Sequence, residues 1–123
     1  GVSYAGINAA ARARLARDIL AERFGRIPGI AGGYRIDLIG LSSLHASAGV
    51  DEPATSRDVR VRVALRTMDR ELAEMVLWEV EALLCCGPAG GGGYRGQITP
   101  GVVTYSAMID RDRVAPTVKV LTA

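Results

Sequence analysis

A chain of 123 residues bounds the answer to one compact domain, and 49% hydrophobic content is enough to build a core. Fifteen basic against thirteen acidic residues leave a net charge of +2, too balanced to argue for nucleic acid, and no run of about 18 apolar residues is present to cross a membrane. One His, one Trp and one Phe leave little material for a metal site or an aromatic cage, so neither a metal nor another cofactor is expected.

Taken in order, residues 1–6 read as a short extended or looped lead-in. Asn8 then caps a helix through about Phe24, rich in Ala, Leu and Arg, all strong helix formers. Ala9, Ala13, Ala16, Ile19, Leu20 and Phe24 give it a thin apolar face, and Gly25 closes it. Pro28-Gly29 and Gly32-Gly33 make a loop. A strand over Tyr34 to Leu41 carries apolar residues on both faces, which predicts a central position in the sheet. Ser42 to Arg57 is a long polar connection of the kind that carries function.

The strongest pattern in the chain comes next. Asp58 to Arg66 alternates strictly, with Val59, Val61, Val63 and Leu65 on one face and Asp58, Arg60, Arg62, Ala64 and Arg66 on the other, the signature of a half-buried strand. Thr67 or Asp69 caps a second helix, whose apolar stripe is Leu72, Met75, Val76, Val80, Leu83 and Leu84. Glu71, Glu74, Trp78 and Glu81 form the opposite line, and a lone Trp there suggests cover from a neighbouring chain or domain. Gly87, as a left-handed C-cap, and Pro88 end the helix. After the glycine run Gly90 to Gly93, Val102 to Ile109 reads as a third strand and Val118 to Leu121 as a fourth, Pro116 suiting an edge. The repeat of Gly-Gly-Tyr-Arg at residues 32–35 and 92–95 raises a duplicated helix–strand–strand unit, against coincidence in glycine-rich loops.

Candidate sites follow from side-chain chemistry. Arg60, Arg62 and Arg66 on one strand face repel one another unless carboxylates or a bound anion interleave, so they either hold a phosphate or carboxylate or form a solvated, partner-covered face. Gly90, Gly91, Gly92 and Gly93 follow a helix, the wrong end of the dipole for a phosphate loop, although a nest of glycine N–H groups can bind an anion, with Arg95 beside it. His45, with the Ser43 hydroxyl nearby, is the weak catalytic candidate against a structural role. Cys85 and Cys86 sit where the helix dipole raises a thiol pKa, and neighbouring cysteines rarely bridge, so they read as reduced and structural in a cytoplasmic setting.

Three stretches, Val2 to Ala16, Arg35 to Ala46 and Asp58 to Arg95 with its Gly-Pro-Ala-Gly-Gly-Gly-Gly run, resemble the acyclic terpene utilisation (AtuA) family in the same order. The resemblance implies the last portion of that family's main domain. It implies a role in breakdown of acyclic terpenes such as citronellol and geraniol, whose intermediates are branched acyl-CoA thioesters. The implied partners are an acyl-CoA or other anionic small molecule, and a second copy or an upstream region. The competing class is a non-catalytic oligomerisation or interaction module of a larger or multi-chain enzyme. Neither nucleic acid nor membrane is expected as a partner. The fold expected over residues 1–123 is α+β, a two-layer sandwich of a mainly antiparallel sheet of about four strands with two helices on one face. Its order is αββαββ, ferredoxin-like in style.

Overall fold

The computed structural model describes residues 1–30, 33–43, 56–102 and 104–121. Its elements are β1 (Val2–Ala5), α1 (Ala9–Phe24), β2 (Tyr34–Ile39), β3 (Asp58–Leu65) and α2 (Arg70–Cys86), followed by a single 3₁₀ turn at Arg111–Arg113. The three strands form one antiparallel sheet in the order β1-β3-β2. Its register stacks the alternation of each strand onto the next. Val2 opposes Val61, Tyr4 opposes Val59, Leu38 opposes Val61 and Ile36 opposes Val63. Val2, Tyr4, Ile36, Leu38, Val59, Val61 and Val63 therefore reach one face, where both helices pack.

That packing explains the composition of the helices. α1 buries Ala9, Ala10, Ala13, Ala16, Leu20 and Phe24, and its alanines bring the helix axis close to the sheet. α2 buries Leu72, Val76, Val80 and Leu83, one per turn. Phe24 meets Tyr34 edge to face, with ring centroids 5.0 Å apart. Tyr4, Phe24, Leu20, Val2, Val59 and Val61 are the largest fully buried side chains; burying each of the apolar ones contributes about 1.5–3 kcal/mol. Asp69 caps α2 by accepting from Leu72 N at 3.1 Å, and its own N–H is held by Thr67 Oγ1 at 3.0 Å.

The α+β class and the two helices stand, but the count and order of strands do not: the chain runs βαββα. The lead-in at residues 2–5 is a strand, placed by pairing with the first half of β3, Asp58 to Val61. The described residues of 102–109 and 118–121 form no strand and are exposed throughout, and none of the described residues pairs with them. The proposed duplication loses its second strand pair with them. β2 is an edge strand and stops at Ile39; β3 is the central one. Asn8 occupies the cap position of α1 with φ +59 and makes no side-chain cap bond. Met75 and Leu84 lie outside the buried stripe of α2. Gly87 is extended, with φ −73 and ψ 135, rather than left-handed. Glycine is needed there for space, since a Cβ would stand 2.3 Å from Leu83 O.

Candidate functional site

The helices cover one face of the sheet and leave the other open. Alternation sends Asp58, Arg60, Arg62 and Ala64 of β3, Arg35, Asp37 and Ile39 of β2, and Ser3 and Ala5 of β1 to that open face. Arg35, Arg60 and Arg62 are all exposed. Asp37, with its side chain only 13% exposed, accepts from Arg35 Nε at 2.6 Å and opposes Arg62 in register. Arg60 Nε donates to Ser3 Oγ at 3.2 Å. Arg66 lies past the end of β3, on the same alternation but away from this group.

The glycine run extends the sheet at its other edge. Ser3 N donates to Gly92 O and Gly92 N to Ser3 O, both at 2.8 Å. Further along, Arg95 N donates to Gly1 O at 2.9 Å and Gly1 N to Arg95 O at 2.5 Å. The strand side advances two residues between these pairs and the glycine side three, so one residue is bulged out. Gly93, at φ +60, lies between the two pairs and supplies the left-handed conformation that such a bulge takes. Gly91 crosses the core face so tightly that a Cβ would come within 2.4 Å of Val2 Cγ1 and 3.1 Å of the Tyr4 ring.

Arg12 locks this strap to the rest. From α1 its guanidinium donates to Gly90 O at 3.1 Å, to Ala89 O at 3.4 Å and to Ala5 O. Tyr94 secures the far end, its hydroxyl donating to Leu77 O at 3.3 Å. Beneath the strap, the Tyr4 hydroxyl and Arg12 Nε are buried without a hydrogen-bond partner. Burial pushes the Tyr4 hydroxyl pKa up, and the Arg12 charge only partly offsets it.

These pairings bring together residues far apart in sequence. Ser3 opposes both Gly92 and Arg60, so the three lie in one row on the open face. Gly1, the neighbour of Val2, falls opposite Arg62 and pairs with Arg95 across the strap. The result is a floor of almost no side-chain bulk, Gly1, Ser3 and Gly92, with Arg60 and Arg62 on one side and exposed Arg95 on the other. At about 4.8 Å per strand, the two sides stand roughly 10 Å apart at the backbone. Arg62 and Arg95 have no ion-pair partner among the described residues. No N–H nest converges here, because the Gly92 N–H is spent on Ser3; any anion would be held by guanidinium groups.

Over residues 1–120 the sequence matches the family described as acyclic terpene utilisation family protein AtuA. The chain belongs to the AtuA family. No curated protein and no solved structure matches it. In this AtuA-family chain the candidate residues do not all come together. Arg60, Arg62, Gly92 and Arg95 do meet, whereas Gly90 and Gly91 are turned to Arg12 and the core, and Gly93 serves the bulge. Ser43 is half-buried in the turn after β2; His45 lies outside the described residues. Ser3, Arg12 and Arg35 were not singled out from sequence. The alternation of Val2-Ser3-Tyr4-Ala5 was the available signal for β1, but four residues make it short. Cys85 and Cys86 are free and exposed. Cys86 lines a cleft of about 150 Å³ between the helices with Ile19, Ala82, Pro88 and the Arg23–Glu79 ion pair. Among the described residues, no cluster could hold a metal ion and no helix is long and apolar enough to cross a membrane.

Proposed function

We propose that this chain is the anion-holding part of an AtuA-family protein of acyclic terpene catabolism in the cytoplasm, and that its open sheet face binds the phosphates of a branched acyl-CoA thioester. One observation carries the reading: Arg60, Arg62 and Arg95 surround a floor that bears no bulky side chain, while Asp37, the carboxylate opposite Arg62, is already engaged by Arg35. Guanidinium forks suit phosphate oxygens in both geometry and charge. A pyrophosphate lying over Ser3 and Gly92 comes within reach of all three arginines. The acyl chain then extends off the sheet, and any group that acts on it comes from elsewhere than this face.

Titration calorimetry with CoA, a branched acyl-CoA, ATP and inorganic pyrophosphate tests this. Arg62→Ala and Arg95→Ala should each weaken CoA binding by on the order of 1–3 kcal/mol, about ten- to a hundredfold, with Arg66→Ala close to wild type. Absence of heat with all four ligands at millimolar concentration, or equal losses in all three variants, would sink it.

A further inference from the structure

The exposed line of α2 is the electrostatic complement of the open sheet face. Glu71, Glu74, Trp78 and Glu81 run along the side of α2 away from its buried stripe; Glu74 is engaged by Arg70 at 2.8 Å, so Glu71, Glu81 and the 69% exposed Trp78 carry the complementarity. On α1 the exposed Asp18 is paired with Arg17 at 2.8 Å, and Glu22 is paired with Arg26 just past the helix end, so that helix offers no comparable strip. Dimensions agree as well. A helix of 17 residues is about 25 Å long and a strand of 8 residues about 26 Å. The bare face between the arginines is low and partly apolar, with Ala5, Ala64, Ile39 and the stems of the arginines. A helix can lie on it with Trp78 against guanidinium groups and its glutamates among them.

We infer that α2 of one copy docks on the arginine face of a second copy, so that each sheet becomes covered on both sides. Helices and arginines lie on opposite faces of one chain, which makes the contact heterologous: a donor surface on one copy meets an acceptor surface on the next. A single helix on a small sheet buries less than a stable dimer interface, so association is micromolar and weakened by salt. The acceptor surface is the one proposed to bind CoA, and to that extent the inference rests on that reading. Ligand and neighbour then compete for Arg60, Arg62 and Arg95.

Sedimentation of the full chain separates the possibilities. Wild type at 5–100 µM (roughly the range expected for an interface this small) and low salt should grow in mass with concentration. A donor-dead variant, Trp78→Ala with Glu81→Lys, and an acceptor-dead variant, Arg62→Glu, should each be monomeric. Mixed one to one they should form a dimer and nothing larger, because only one competent pair of surfaces remains. All these side chains are exposed, so melting curves should match wild type; if Arg62→Glu does not fold, Arg95→Glu takes its place. The donor-dead variant should bind CoA at least as tightly as wild type does, which keeps failure of docking distinct from failure of the ligand reading. A wild type that stays monomeric throughout, variants that associate normally, or a mixture without heterodimer would each overturn the inference.

Discussion

The two faces of this three-stranded sheet are written in the same residues and obey different physics. On one face Val2, Tyr4, Val59 and Val61 are fully buried, and their contribution depends on volume and the absence of unpaired charge. On the other, one residue away in each strand, Ser3, Arg60 and Arg62 face solvent, where charges are screened and contribute little to folding. A fold can thus carry a cluster of like charges at almost no cost, provided that strand alternation keeps the cluster off the core. Function has room to vary on the open face because stability is decided on the other.

Substitutions one residue apart should expose that contrast. The largest effect belongs to Val61→Asp, which puts a carboxylate in the core between Val2 and Leu38; it should cost several kcal/mol and leave the chain without a cooperative melting transition. Its neighbour Arg62→Ala should melt as wild type does, and equal losses in the two would overturn the division of faces. Gly91→Ala comes next. Its Cβ would overlap Val2, so a loss of about 1–3 kcal/mol in urea unfolding is expected, against little change for Gly92→Ala, where nothing lies within 4 Å. Arg12→Ala removes donors from the carbonyls of Ala5, Ala89 and Gly90 and should cost on the order of 1–3 kcal/mol.

The smallest effect sharpens the comparison by pH. Tyr4 keeps its proton in the folded chain beyond the ordinary value of 10.0, through burial, and Tyr94 does so through burial and then Glu81. The unfolded chain therefore releases those protons first as pH rises. Stability from this source is whole below about pH 10 and is lost as pH climbs through 10 toward the folded values. Tyr4→Phe deletes a buried hydroxyl that has no partner, so it should leave stability at pH 7 within about 1 kcal/mol of wild type and flatten the loss at alkaline pH. A large loss at neutral pH would mean that the hydroxyl has a partner after all.

How much of this was legible in the sequence depended on the length of each periodic run. Eight alternating residues made β3 readable with its faces assigned, and stripes over 16 and 17 residues did the same for the helices. β1 offered only four residues, too few for periodicity to outweigh a loop reading. The stretches at 102–109 and 118–121 carry β-branched residues in strand-like spacing, yet propensity without a pairing partner makes no strand. For the site, the arginines could be listed from sequence. Their arrangement could not, because Gly92 and Arg95 reach them only through hydrogen bonds to Ser3 and Gly1, and no local pattern encodes a pairing across that distance.

The bond between Gly1 and Arg95 joins residues 94 apart in the chain. Closing so long a loop gains nothing until both partners are in place, so such contacts tend to form late and to slow the search for the native state. β3 with β2, and the helices on them, can assemble from shorter-range contacts first. The strap then zips onto β1 as a closing step, and the amides that join them, Ser3, Gly92 and Arg95, should be among the first of the sheet's hydrogen-bonded amides to exchange with deuterium in the native state. A partly folded chain would present the arginines of β3 without Arg95 across from them. The complete constellation comes into being only with the last turn of the lock, so a ligand that needs all three arginines would select for chains that have finished folding.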